Sequence, residues 1–210
     1  MGRIRRIGID IDEVKYPGKE VFYRYLNEKL GLNLDWNDNK YDFMELAEKL
    51  NMRNEELDEL YFEHSKTDLF HDTPPIEGSV EGIESFFEKG IELYAITSRP
   101  LYLRDATLEY IEKYFPEKFK EVIFAGRDSL SREGISKKEA ILENEINLML
   151  DDQKGHAREL GKIIPVILFS KPWNRFFEMK NVYRVGDLEK KDYGWPEAIK
   201  ITKELDKSNP

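Results

Sequence analysis

Cysteine is absent from all 210 residues. That excludes disulfides, thiolate nucleophiles and Cys-ligated zinc or iron–sulfur centres, and leaves oxygen and imidazole as metal ligands. The three histidines, His64, His71 and His156, have no zinc-like spacing; the first two are expected on the surface of a helical region and His156 on a helix following Asp152. No apolar run reaches the length of a membrane span, and Asp10 and Asp12 interrupt the short apolar stretch of MGRIRRIGIDID, so neither a transmembrane helix nor a signal peptide is expected. A reducing, cytoplasmic setting fits the missing cysteines. No GxGxxG follows a strand and no GxxxxGK[ST] occurs, which removes dinucleotide-fold and P-loop readings. An EF-hand starting at Asp10 fails because its sixth and twelfth positions are Lys15 and Val21. Excess positive charge is also lacking: 33 Lys plus Arg stand against 42 Asp plus Glu, a net charge of −9. Such a chain repels long nucleic acids and anionic membranes.

What remains is 40% hydrophobic and 36% charged, enough apolar material at this length for one compact domain with an insertion. With one glutamine, Gln153, the composition resembles that of thermophile proteins. Residues 4–11, with Ile7, Ile9 and Ile11 on one face, predict a buried first strand ending at or just past Asp10. Apolar runs at 91–97, 121–125, 146–150, 164–169 and 181–185 predict further strands, and helical patterns at 79–89, 101–114, 136–144 and 153–161 alternate with them. That alternation predicts an α/β fold with a parallel sheet. Residues 16–73 break it. Phe22, Leu26 and Leu30, then Phe43, Leu46 and Leu50, then Leu57, Leu60 and Tyr61 recur at helical spacing, and Thr73-Pro74-Pro75 makes a stiff exit. Residues 16–73 are therefore expected to be a helical cap inserted after the first strand, over a core of 1–15 and 74–210. Tyr16, Phe22, Tyr41, Phe43 and Phe70 are expected in the core of that cap, and the terminal KELDKSNP is expected to fray.

Asp10 and Asp12 fall at a strand's carboxyl end, where ligands of open α/β sheets bind, and residues two apart on a strand share a face. The plainer alternative is a turn Asp followed by an N-cap. A second pair, Asp151-Asp152, follows the strand INLML. Four carboxylates at one edge repel unless a hard cation such as Mg²⁺ neutralises them; alternatively the second pair only opens the next helix. Thr97-Ser98-Arg99-Pro100 offers hydroxyls and backbone N–H groups suited to phosphate oxygens, or an ordinary turn. Ser136 and Glu139 form a capping-box pattern that puts Lys137 in a helix's first turn, against the dipole, where it either reaches an anion or is a solvated surface lysine.

Taken in order, GIDIDEV, AITSRP, SKKE and LMLDD resemble the haloacid dehalogenase (HAD) superfamily of aspartate-nucleophile phosphohydrolases. The insertion after the first motif, with PPIEGSVEGI and PVILFSKPWN, resembles its 5′(3′)-deoxyribonucleotidase and bacterial nucleotidase branch. The likeness spans about residues 7–175 and implies a Rossmann-like core. It further implies Asp10 as nucleophile, Asp12 as general acid/base, and Thr97, Ser98 and Lys137 as phosphate-binding and charge-stabilising groups. Mg²⁺ would be held by Asp10, the Asp12 carbonyl and Asp152, with Asp151 supporting. The implied activity is hydrolysis of nucleoside monophosphates through an aspartyl-phosphate. Other small phosphoesters such as sugar phosphates, and a noncatalytic phosphate-ligand-binding module, remain as alternatives, and oligomeric state is left open. One departure stands out: Glu13 occupies a position where relatives commonly have Gly.

Overall fold

The computed structural model describes residues 3–36, 43–126, 134–190 and 192–207. Six strands form one sheet: β1 (Arg6–Ile9), β2 (Glu92–Thr97), β3 (Glu121–Phe124), β4 (Leu148–Asp151), β5 (Val166–Phe169) and β6 (Val182–Val185). Their order is β3-β2-β1-β4-β5-β6 and every pairing is parallel. The chain builds outward from β1 to β3, then crosses back to lay β4 against the other side of β1. The order thus reverses at β1, and the crevice outside the carboxyl ends of β1 and β4 is where such a sheet binds ligands.

Period-two alternation sorts the sheet's side chains into two cores. Ile7, Ile9, Leu93, Ala95, Leu148, Leu150, Ile167 and Phe169 share one cluster with α5 (Ser79–Phe87), α6 (Arg104–Tyr114) and α9 (Trp195–Lys207). Tyr94, Ile96, Met149, Val166 and Leu168 share the other with α7 (Lys137–Glu143) and α8 (Lys154–Leu160). Helices on both faces are what a parallel sheet requires, because neither face can be left to water. The four helices expected from the sequence are present, the second beginning with a 3₁₀ turn at Leu101–Leu103. Of the terminal KELDKSNP, expected to fray, residues 203–207 instead continue α9, which buries Trp195, Ala198 and Thr202, while 208–210 lie outside the described residues. These positions, three and four residues apart, make one helical stripe against the sheet.

Between β1 and α5 come α1 (Gly18–Leu30), α2 (Phe43–Lys49), α3 (Asn54–His64) and α4 (Asp68–His71). Phe22, Tyr23, Leu26, Leu46, Ala47 and Leu57 form a cluster of their own there. Tyr16 and Phe70, expected in it, join the sheet's core instead. Both lie where the chain passes between the sheet and these helices, so their rings close the junction. Tyr41 lies outside the described residues, and of Phe43 only the backbone is described. His64 is also corrected, from surface to fully buried. It packs edge-on against Phe70, and burial together with the nearby Arg99 charge pushes its imidazole down to about 4, so it is neutral. No helix among the described residues is long and apolar enough to cross a membrane.

Candidate active site

β1 ends at Ile9, and the Asp10 N–H still donates to the Leu150 carbonyl of β4 at 2.9 Å. The chain then turns tightly. Ile11 O accepts from Lys15 N and Tyr16 N, and Glu13 adopts φ 61°. Because pairing stops before Asp12, the strand alternation that would point Asp10 and Asp12 the same way does not reach it. The two carboxylates border one cavity but hold different partners.

Asp10 is buried; Oδ1 accepts from its neighbour's amide, Ile11 N, at 2.7 Å, and Oδ2 lies 2.6 Å from Lys137 Nζ. Lys137 also donates to Asp151 Oδ2 at 2.8 Å. Ser136 caps α7 through the expected box, its hydroxyl accepting from Glu139 N at 3.2 Å and its amide donating to Glu139 Oε2 at 2.6 Å. The cap fixes where α7 begins, and Lys137, its first residue, spans the two carboxylates. Asp151, fully buried at the end of β4, accepts from Gln153 N at 2.8 Å and faces His156 Nδ1 at 3.2 Å. Asp152 accepts at Oδ2 from Trp173 Nε1 (2.9 Å) and Gln153 Nε2 (3.0 Å), and its carbonyl accepts from Asn174 Nδ2 (2.7 Å).

The charges do not balance. Burial would push Asp151 up, but Lys137 and His156 hold it well below the usual carboxylate range. Burial opposes the Lys137 cation, yet Asp10 and Asp151 together keep its affinity for the proton above that of a free lysine. Lys137 and Asp151 therefore form the settled ion pair. Asp10 and Asp152 are both pushed up, first by burial and then by the neighbouring carboxylates, with Lys137 and Lys171 offsetting only part. Two buried carboxylates short of positive charge, offering hard oxygen donors, fit a divalent cation of the Mg²⁺ kind. Ligand atoms of Asp10, Asp151 and His156 lie within 4.8 Å of one another, but Lys137 already occupies the space between the two aspartates. Asp10 and Asp152 are the better pair.

Thr97 is fully buried and its hydroxyl accepts from Arg99 N at 3.1 Å, whereas Ser98 is exposed and borders the cavity. Arg99, read from the sequence only as part of a turn, grips Asp12 with both prongs: Nε to Oδ2 at 2.9 Å and Nη2 to Oδ1 at 2.7 Å. Nothing local signals this pair, since the partners are 87 residues apart. Gly18, which opens α1, lies so close to Asp12 Oδ1 that a Cβ there would collide with it. Glu13 is buried; Oε1 accepts from Lys19 N at 2.5 Å, and Oε2 lies 3.7 Å from Lys171 Nζ. Burial pushes the Glu13 carboxyl up, Lys171 opposing. Lys15, two residues on, is fully buried beneath the turn, its ammonium near the carbonyls of Ile9 (3.4 Å) and Asp10 (3.3 Å) and 4.4 Å from the Phe119 ring centre.

The cavity measures about 540 Å³. Its polar lining includes Asp10, Asp12, Ser98 and Asp152. It is also lined by Phe22, Tyr23, Leu46 and Tyr61 from α1, α2 and α3, by Lys19 and Asp58 of the same helices, and by Trp173.

Residues 3–192 match the family model described as 5′ nucleotidase, deoxy (Pyrimidine), cytosolic type C protein. YqfW of Bacillus subtilis (strain 168), named as a nucleotidase candidate, is 27% identical over 197 residues, covering 92% of this chain and 91% of YqfW. Among solved structures, a phosphatase predicted in Clostridium acetobutylicum superposes with a TM-score of 0.67 at 16% identity, over 97% of this chain and all of that one. The magnesium-bound HAD-hydrolase YfnB of Bacillus subtilis superposes with a TM-score of 0.56 at 13% identity, over 90% of this chain and 96% of that one. These two likenesses show a shared fold, and the family match adds the chemistry. With its six-stranded parallel sheet and its match over residues 3–192, the chain belongs to the cytosolic type C 5′ nucleotidase family of HAD phosphohydrolases and is a phosphoric monoester hydrolase.

Proposed function

We propose that the chain hydrolyses nucleoside or deoxynucleoside monophosphates in a Mg²⁺-dependent reaction with Asp10 as nucleophile. The observation that carries this reading is the mixed lining of one cavity: the carboxylates of Asp10, Asp12 and Asp152 and the Ser98 hydroxyl share it with an aromatic wall of Phe22, Tyr23 and Tyr61. A phosphorylated nucleoside presents a phosphate at one end and an aromatic base at the other. A sugar phosphate would leave the aromatic wall against water or hydroxyls. Residues 16–73 act as the cap that supplies that wall.

Asp10 and Asp152, with the Asp12 carbonyl, would hold the metal, while Asp151, neutralised by Lys137, stands behind them. Bound there, Mg²⁺ supplies Lewis acidity and charge neutralisation at the phosphoryl oxygens. An Asp10 oxygen attacks phosphorus, the P–O ester bond breaks, and its electron pair leaves with the alkoxide oxygen, which takes a proton from Asp12. Water then attacks the aspartyl-phosphate, giving its proton to Asp12 and releasing phosphate, so each cycle returns both aspartates to their starting state. Lys137, Ser98 and the amides after Thr97 hold the phosphoryl oxygens through the transition state.

The test is a panel of phosphomonoesters assayed with and without Mg²⁺. Nucleoside monophosphates should exceed sugar phosphates in kcat/KM, and Asp10→Asn should abolish turnover of p-nitrophenyl phosphate. Wild-type-like turnover by Asp10→Asn overturns the nucleophile, and a preference for sugar phosphates overturns the substrate.

A further inference from the structure

We infer that Arg99 is a positioning residue for proton transfer: its guanidinium sets the orientation of the Asp12 carboxylate and ties it to the junction between the sheet and helices α1–α4. This rests on the acid/base role proposed for Asp12.

The geometry leaves the guanidinium little freedom. Its side chain is 1% exposed, against 31% for Asp12. Nε and Nη2 take the two Asp12 oxygens, and Nη1 donates to Thr107 Oγ1 of α6 at 3.1 Å. The ring of Tyr16 lies 4.8 Å from its central carbon and that of Phe70 lies 5.1 Å away. Tyr16 precedes α1 and Phe70 belongs to α4, so these rings sit on the two chain crossings into and out of the helical insertion. The Tyr16 hydroxyl contacts the Phe70 carbonyl at 3.4 Å, linking the crossings. The backbone of Arg99 is fixed as well, by Thr97 Oγ1.

A single ammonium would leave a carboxylate free to rotate about one contact, whereas a fork bonded to both oxygens fixes its plane. Arg99 in turn is fixed by packing, since a buried guanidinium is stable only with its carboxylate and aromatic partners in place. A shift of either crossing relative to the sheet therefore moves the fork, and with it the group that must meet the leaving oxygen. The arrangement accounts for an arginine at the end of the TSRP loop that borders the cavity yet turns its charge toward Asp12 rather than outward.

Proton donation matters in proportion to the basicity of the leaving group. A nitrophenolate departs without a proton, but the alkoxide of a nucleoside or simple alkyl ester does not. The experiment compares kcat/KM across aryl and alkyl phosphates for wild type, Arg99→Met, Arg99→Lys and Asp12→Asn, with near-UV circular dichroism confirming the fold. Arg99→Met should lose roughly 10²- to 10³-fold on alkyl phosphates but less than about tenfold on p-nitrophenyl phosphate, so that the dependence on leaving-group pKa steepens toward that of Asp12→Asn. Arg99→Lys, which keeps the charge without the fork, should fall between, and it carries the test should Arg99→Met not fold. Equal loss across the series, or an unchanged slope, overturns the inference and leaves Arg99 a packing residue. A slope unchanged in Asp12→Asn itself overturns the acid/base reading, and the inference with it, which separates the two failures.

Discussion

Lys15 is the group whose removal gives the clearest physical signature. Its ammonium is fully buried beneath the Asp10–Tyr16 turn, and burial pushes its pKa down from 10.5 to about 7 against the pull of Asp10. Because the folded value lies below the unfolded one, the unfolded chain holds the extra proton between about pH 7 and 10.5, and stability rises with pH across that window. Below it the folded protein carries the full penalty, which for this displacement is about 5 kcal/mol. Lys15→Met removes the penalty but also the two long contacts to the Ile9 and Asp10 carbonyls, worth about 1–2 kcal/mol together. The variant should therefore be about 3 kcal/mol more stable than wild type at pH 7. Between pH 7.5 and 9 wild type recovers roughly 2 kcal/mol, at nearly one proton's slope of about 1.4 kcal/mol per pH unit, so the advantage of the variant shrinks by that amount. Urea unfolding of both proteins in EDTA at several pH values measures this directly. A stability difference that does not change with pH would show that Lys15 is not a buried cation relieved by deprotonation. Turnover should fall, because methionine cannot steady the Asp10 carbonyl as the ammonium does; a group kept at the expense of stability beside the proposed nucleophile is the usual form of a stability–activity trade.

Two further substitutions test the packing around the site. Glu13 holds a left-handed φ of 61°, which costs a glutamate about 1–2 kcal/mol relative to glycine, while its carboxylate caps α1 at Lys19 N and approaches Lys171. Glu13→Gly should thus be nearly neutral in urea unfolding and Glu13→Ala should fall about 1 kcal/mol or more below it, whereas equal stabilities would refute the backbone strain. At Gly82 of α5 a Cβ would collide with the six-membered ring of Trp195, whose indole is fully buried and donates to the Val14 carbonyl at 3.1 Å. Gly82→Ala should therefore destabilise by about 2 kcal/mol despite alanine's better helix propensity, and a stabilised variant would mean α9 can slide away from α5.

Trp195 also shows why parts of the fold were hard to read. The strands announced themselves as apolar runs because a parallel sheet is buried on both faces. The capping box at Ser136 and Glu139 is a local event within four residues, and it appears as expected. By contrast, α9 carries its apolar positions at Trp195, Ala198 and Thr202 among charged neighbours, so its mean polarity resembles a loose tail although its spacing is helical. His64 and Lys15 are polar residues whose burial depends on what the rest of the chain lays over them, which no local pattern encodes.

Charge follows the same division between local and long-range information. The net charge of −9 opposes long polyanions, and the doublets at Asp10, Asp12, Asp151 and Asp152 mark the sheet edge where acids gather. What those acids do is decided by partners far away in sequence. Lys137 settles on Asp151 and offsets only part of the burial cost at Asp10, Asp152 is pushed up by burial and its carboxylate neighbours, and Arg99 claims Asp12, which leaves Asp10 and Asp152 as the pair proposed to hold a cation. On the proposed reading, four like residues at one edge are thereby divided into a nucleophile that is also a cation ligand (Asp10), a paired support (Asp151), a second cation ligand (Asp152) and a clamped proton carrier (Asp12). Aspartate supplies the same carboxylate at each position, and only its cationic neighbour differs. Exchanging the neighbours should accordingly exchange the chemistry, which is why the Arg99 series, rather than a further aspartate substitution, is the more searching test of how this edge works.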